Sequence, residues 1–487
     1  MNRQELKNRL EKCCDIMRDD GLVPIQYIEQ LSWIIFLKLF DDLEKEKKML
    51  NKDYQFLFEE KFQWKNWATR LTGEELKRFV EQELIPYLAN LTGTPQKAKI
   101  GSIFGKVRNY MRSGYNLAEV IRIINEIDFS NPEDTQILSI AYEELLMYSA
   151  AQKGGGAGEF YTPRPIVRLM VRIIDPKIGE KIFDPFCGSA GFLVEAFKYL
   201  REKSKTLKEE KILQETLYGQ ELKPFPLIVG TLNAMLHGIE SPNIIEVNTF
   251  EEDITSVPED KKFDIIMTNP PFGGEAAKRS LATFAIKTSD TELAALYFCM
   301  KKLKTGGRCA IVQPEGVLFR TGRAYLQVKK ELLENYNLHT IISLPPGVFA
   351  NVSPKGGVGP KTNLLFFEKG RPTKEIWYYE HRHPLGMVKT RYGRLVEKKY
   401  SKNDPIRDEH LEEAFQKWQA REISENSWIV KVEEIIKKDY DLSAKNPNKI
   451  KIPTYKEPEQ LLEEIFEKEK EIEKLIKEIK EDLKYEI

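Results

Sequence analysis

The 487-residue chain has no net charge, because 75 lysines and arginines balance 75 aspartates and glutamates. The wholly basic surface of a chain that grips nucleic acid unaided is therefore missing, although a local patch or a basic partner could still meet phosphates. Cysteine is scarce. The five, at 13, 14, 187, 299 and 309, form no CxxC pair and are odd in number, which argues against a disulfide scaffold. Histidine is equally scarce, and its one cluster, His381-Arg382-His383, reads as a polar loop rather than a metal site. No apolar run approaches the length of a membrane span, and the first residues lack the apolar centre of a signal peptide, so the expected location is the cytoplasm. Neither GxGxxG nor GxxxxGK occurs. The common dinucleotide and triphosphate cradles are thus unsupported, and any ATPase would sit on another chain.

The length implies two or three domains. Residues 1–150 read as a helical domain. Ile28, Leu31, Ile35 and Leu39 recur at helical spacing, and "GEELKRFVEQELIPYLANL" and "DTQILSIAYEELLMYSA" supply two more helices. Glycines at 154–156 and 158 then loosen the chain, before Pro163 and Pro165 open a further helix. Over 151–385, apolar strands alternate with helices, which predicts an open, mostly parallel sheet covered on both faces. The last strands crowd together, as in a sheet ending in an antiparallel hairpin. Residues 386–455 read as a polar, partly helical extension. Residues 456–487 read as a charged helix, with Leu461, Ile465, Ile472, Leu475, Ile479 and Leu483 close to a 3-4 repeat broken at Lys468. A seam that docks on another chain and a helix packed on its own domain both fit this pattern.

Four consecutive predicted strand ends carry residues suited to a ligand. Asp184 opens "DPFCGSAGFL", where Cys187, Gly188, Ser189 and Gly191 make a tight turn into a helix. Glu221 ends the next strand, in "YGQEL", where an acid can take ribose hydroxyls. Asp253 follows the third strand and could accept from the amine of an adenine ring. The fourth strand runs into Asn269, Pro270, Pro271 and Phe272. An amide oxygen and a proline carbonyl are two fixed acceptors, and Phe272 is a flat ring. Together they describe a site for the amino group of a planar heterocycle, whose two protons they can hold without a strong base.

"DPFCGSAG" and "NPPF" resemble the cofactor and catalytic motifs of amino-group DNA methyltransferases. "GEFYTPRPIVRLM" upstream, and "LPPGVF" with "KTNLLFF" downstream, resemble more narrowly the modification (M) subunit of type I restriction-modification systems, which acts on adenine N6. The resemblance covers essentially the whole chain, whereas "NPPF" alone also occurs in enzymes that methylate cytosine N4, RNA adenine or a glutamine amide. It implies an α/β, Rossmann-like, seven-stranded sheet whose last strand is antiparallel, with an N-terminal helical domain and a C-terminal helical tail. It implies S-adenosylmethionine as cofactor. Phe160, Tyr161 and Thr162 would line that cofactor's pocket. Asp184 and the turn through Cys187, Gly188, Ser189 and Gly191 would hold its methionine part, Glu221 its ribose and Asp253 its adenine. Asn269, Pro270, Pro271 and Phe272 would handle the target base in double-stranded DNA. Sequence recognition would fall to a specificity (S) subunit, bound by two M subunits, and cleavage to a motor-nuclease (R) subunit. One departure is the glycine-rich link "NVSPKGGVGP" ahead of the KT pair.

Overall fold

The computed structural model of the chain describes residues 3–127, 162–272, 281, 283–349, 361–389, 395–401, 404–448 and 458–482. They fall into two compact units, Met1–Lys445 and Asn446–Ile487. The sequence pattern suggests four parts instead, and the first unit runs through the expected boundaries at 150 and 385.

The strands of the first unit are β1 (Ile182–Asp184), β2 (Leu217–Glu221), β3 (Asn243–Glu246), β4 (Phe263–Thr268), β5 (Leu303–Pro314), β6 (Tyr336–Leu344), β7 (Thr362–Lys369), β8 (Glu375–Glu380), β9 (Met387–Lys389), β10 (Leu395–Glu397) and β11 (Ser427–Lys431). Nine of them form one sheet in the order β11-β8-β6-β7-β5-β4-β1-β2-β3, and β9 pairs with β10 in a separate ribbon. β1 to β5 are parallel to their neighbours in this group. β7 inserts antiparallel between β5 and β6. These seven are the expected sheet with its antiparallel last strand. The structure adds two more: β8 lies parallel to β6, and β11 lies antiparallel to β8.

The helix Glu412–Ala420 and, unexpectedly, the strand β11 come from the stretch that reads as a polar, partly helical extension. Their few apolar residues are what join them to the body. Leu411, Ala414, Trp428 and Ile435 are all buried in the cores flanking the sheet.

The centre of the sheet follows from β4, whose Ile265, Ile266, Met267 and Thr268 are all buried. A continuous apolar run suits a strand covered on both faces. Ile265 and Met267 join the helices Arg164–Ile174 and Gly191–Arg201 in one core. Ile266 joins the helices Thr291–Lys302 and Arg323–Asn335 in the other.

The N-terminal helices build a third core, centred on the long helix Pro24–Leu50. The predicted helix over 73–91 is interrupted by a π-turn at Val80–Leu84. Pro86 lies just beyond it, lacks an N–H and crowds the preceding turn, which favours such a bulge. The predicted helix over 134–150 lies outside the described residues. This helical layer is not independent of the sheet. Its core takes in Ile228, Leu232 and Met235 from the helix Pro224–Leu236. Lys99 Nζ donates to the carbonyl of Ile244 on the edge strand β3 at 2.5 Å, and Lys106 pairs with Glu246. An exposed sheet edge is thereby covered.

His381 and His383 do not lie in an exposed polar loop. Both are buried. His381 Nε2 meets the Tyr400 hydroxyl at 2.9 Å, and His383 Nε2 meets Asp404 at 3.2 Å. The partners lie about twenty residues downstream and restore what burial takes away. All five cysteines are free and buried. Among the described residues no helix is long and apolar enough to cross a membrane.

The second unit contains the helix Pro458–Asp482. Leu462, Ile465, Phe466, Ile472, Leu475, Ile476 and Ile479 on it are all exposed. The side chain of Leu461 and the whole of Leu483 lie outside the described residues.

Candidate active site

The carboxyl ends of β1, β2, β3 and β4 open onto one cleft with about 850 Å³ of empty space, partly open to solvent. Open parallel sheets place ligands at this rim. The cleft is lined by Thr162, Asp184, Cys187, Gly188, Ser189, Gly191, Glu221, Asn269 and Pro271, all anticipated from the sequence. Pro185, Phe186, Phe192, Leu222, Lys223, Asn248, Thr249 and Phe250 complete it. Phe160, Tyr161 and the link 351–360 lie outside the described residues.

The turn after β1 is built by two left-handed residues, Gly188 (φ +48) and Ala190 (φ +61). Its backbone is held from two sides. Gly188 N–H donates to Glu221 Oε2 at 3.0 Å, and Asn233 Nδ2 donates to the Ser189 carbonyl at 2.8 Å. The helix Pro224–Leu236 can come this close because Gly230 faces the turn. A Cβ there would lie 2.4 Å from the Gly188 carbonyl oxygen. Sequence reasoning misses Gly230 and Asn233. The small residue inside a helical pattern is the one signal available.

Two acids face one another across this turn. Asp184 is buried, and burial pushes its carboxyl up to about 7, although the Thr268 hydroxyl and the Phe186 amide hydrogen-bond to it and pull the other way. Burial likewise raises Glu221, against backbone donors. Each Glu221 oxygen accepts one backbone N–H, from Gly188 and from Lys223. A carboxylate has further lone pairs, so both oxygens remain able to accept from hydroxyls in the cleft. The Cys187 thiol is raised well above its ordinary range by burial, so it is inert lining.

Asp253 does not join the site. Its side chain is exposed, and its Oδ1 accepts from the Thr255 amide at 2.9 Å and hydroxyl at 2.6 Å. Those bonds hold its carboxyl below the usual range. The 3-10 turn Thr249–Glu251 brings Asn248, Thr249 and Phe250 to the cleft instead. Thr249 Oγ1 anchors them, donating to the Pro185 carbonyl at 2.6 Å.

At the end of β4, Asn269 Nδ2 donates to Thr162 Oγ1 at 3.0 Å. Its Oδ1 is buried and has no hydrogen-bond partner among the described residues. A buried acceptor left unpaired calls for an explanation, and a ligand's N–H is one. Pro270 is buried, and the Pro271 carbonyl accepts from Thr291 Oγ1 at 3.4 Å. The Phe272 ring stands edge-on to Phe349, with centroids 6.2 Å apart and planes at 89°. Phe349 belongs to the "LPPGVF" segment, so two sequence elements far apart meet beside Asn269.

The N-6 DNA Methylase family pattern matches residues 133–454, and the HsdM N-terminal domain pattern matches residues 6–124. The type I restriction enzyme EcoEI methylase subunit of Escherichia coli is 38% identical over 489 residues, 96% of either chain. The EcoKI methylase subunit of Escherichia coli K12 is 28% identical, over 85% of this chain and 75% of its own length. Among solved structures, the modification subunit assigned to a type I restriction enzyme of Vibrio vulnificus YJ016 is 35% identical. It superposes with a TM-score of 0.81 over 93% of this chain and 99% of that one. A chain solved in work on assembly and conformational transition of the type I R-M system is 43% identical, with a TM-score of 0.76 and complete coverage of both. Fold and sequence thus match together over nearly the whole chain, and the chain belongs to the N-6 DNA methylase family, among the methylase subunits of type I restriction enzymes.

Proposed function

We propose that the cleft binds S-adenosylmethionine and that Asn269, Pro270 and Phe272 present the N6 amino group of a DNA adenine to it. Family membership supplies the reaction, N6 methylation of adenine in DNA by an S-adenosylmethionine-dependent enzyme. The observation that carries the residue assignment is the buried, unpartnered Oδ1 of Asn269 at the rim of a cleft containing two buried acids.

The lining fits the cofactor. Glu221 offers two carboxylate oxygens for ribose hydroxyls. Leu222, Phe186 and Phe250 offer apolar walls for a purine. Asp184 offers a negative charge for a ligand that carries net positive charge, and the backbone at Gly188 can be approached closely. When bound, S-adenosylmethionine supplies a methyl group activated by the adjoining sulfonium.

The residues of this chain do the rest. A base inside a duplex cannot reach the strand-end rim, so the adenine leaves the stack before it enters. Phe272 gives it a face to lie on. Asn269 Oδ1 and the Pro270 carbonyl accept its two amino protons, which holds the nitrogen in line. Charge that develops on the nitrogen meets two preset acceptors, and one proton is lost to water. No side chain has to act as a strong base.

The exposed stripe on Pro458–Asp482 docks a specificity subunit in this reading, with Ile465, Ile472 and Ile479 at seven-residue spacing as its seam. Two copies of the chain on one specificity subunit, and a separate motor-nuclease subunit, complete the assembly. The test is methyl transfer to duplex DNA by the assembled complex, with the product digested to nucleosides. N6-methyladenine is expected, and its loss in Asn269→Ala ties it to this site. N4-methylcytosine as the product would overturn the assignment.

A further inference from the structure

We infer that Thr162 is a positioning residue for Asn269: its hydroxyl oxygen accepts a proton from the Asn269 amide and so keeps Oδ1 turned toward the base. The inference rests on the role given to Asn269 above and adds what makes that role possible.

A carboxamide has two ends of nearly the same shape and opposite chemistry. Oδ1 only accepts and Nδ2 only donates. An adenine amino group approaching with two protons needs an acceptor. An amide rotated by half a turn would oppose those protons with its own. The Asn269 side chain must therefore be held in one of two similar orientations, and its own backbone does not choose between them.

Thr162 does. Asn269 Nδ2 donates to Thr162 Oγ1 at 3.0 Å, across 107 residues of sequence. That bond consumes the wrong end of the amide and leaves Oδ1 buried, without a partner among the described residues. A hydroxyl can also donate, so this orientation holds while the Thr162 proton points away from the amide. The adjoining helix holds the hydroxyl in place. Pro163 has a fixed backbone torsion and is the N-cap of the helix Arg164–Ile174, whose Ile166, Val167 and Met170 are buried in the sheet's core. Thr162 also lines the cleft. One short segment thus meets both the cofactor's space and the catalytic amide.

The experiment compares Thr162→Val, Thr162→Ser, Asn269→Ala and the double variant Thr162→Val/Asn269→Ala in the assembled complex. Methyl-transfer kinetics and S-adenosylmethionine binding are measured in parallel. Valine keeps the shape and removes the acceptor, so kcat should fall roughly three- to tenfold, the range of one neutral hydrogen bond. Thermal unfolding shows that each variant is folded, and cofactor affinity should fall less than kcat. Serine should restore kcat. In the Asn269→Ala background the valine should cost nothing further, because the amide it oriented is gone. Full kcat in Thr162→Val, alongside a crippled Asn269→Ala, would overturn the positioning role and leave the reading of Asn269 intact. So would a loss confined to cofactor affinity, or losses that simply add in the double variant. Near-normal turnover in Asn269→Ala would instead sink the reading of Asn269 itself.

Discussion

Thr268 Oγ1 donates a 2.6 Å hydrogen bond to Oδ1 of Asp184. Thr268 is the last residue of β4 and Asp184 the last of β1, and the two strands are neighbours. The acid at the turn after β1 is therefore tied to the residue that immediately precedes Asn269. Any change of charge on Asp184 is felt one peptide bond from Asn269.

That acid makes the site sensitive to pH. Its native value of about 7 lies above the ~3.9 of a free aspartate. Between those values the folded chain binds more protons than the unfolded one, so this group's contribution to stability falls as pH rises through the window. Cofactor affinity should run the other way, because a cationic ligand favours the ionised carboxylate. Calorimetry with S-adenosylmethionine should show affinity falling below pH 7, by up to about tenfold per unit. Asp184→Asn should flatten both profiles.

At the base site, Asn269→Ala should reduce turnover about 10²-fold or more, by analogy with a lost oxyanion-hole donor. Phe272→Ala should weaken binding of the extruded base by roughly 1–3 kcal/mol if stacking dominates. Neither should much change cofactor affinity, since Gly188 and Glu221 remain in place. A parallel loss of cofactor binding would show that the two halves of the cleft are not separable.

Glu221 and Asp253 make a contrasting pair. Glu221→Gln removes the charge from the acceptor facing the cleft and should lower cofactor affinity roughly 10- to 100-fold. Asp253→Ala changes an exposed turn and should stay within about twofold. The opposite ranking, read by equilibrium binding, would restore the adenine role that the sequence suggested for Asp253.

Gly230→Ala tests the support beneath the turn. The three nearest neighbours of the added methyl would be backbone atoms, the first at 2.4 Å, so the turn or the helix must move. Overpacking of this kind costs typically 1–3 kcal/mol. The cofactor turn should suffer more than the fold as a whole. Thermal unfolding measured with and without cofactor separates the two, and an unchanged ligand-induced shift would argue against the support.

On the C-terminal helix, Ile472→Asp should leave the first unit's stability unchanged and abolish capture of a specificity subunit in a pull-down. An unaffected complex rules the stripe out as the contact.

Much of this architecture is legible in the sequence. Asp184, Glu221 and Asn269 are readable because each stands at the end of a predicted strand, and a strand end in a parallel sheet is where ligands sit. Asp253 misleads because residue type is the only guide within its loop. A three-residue turn decides which side chains face inward, and composition does not encode that phase. β11 escapes for a related reason. Its apolar stretch is only Trp428, Ile429 and Val430, flanked by Glu425, Asn426 and Lys431, so it passes for surface. The Thr162–Asn269 bond spans more than a hundred residues, and no local pattern announces it.

The helix Pro224–Leu236 has a further consequence. Ile228, Leu232 and Met235 face the helical core, while Gly230 and Asn233 face the cofactor turn. One element of 13 residues is thus the floor of one compartment and the ceiling of another. The catalytic sheet cannot be excised as a freestanding minimal enzyme. Cutting away the N-terminal helices would bare an oily surface and unseat the loop that the same rod props from behind. Attempts to transplant this chemistry into another scaffold must carry both storeys together.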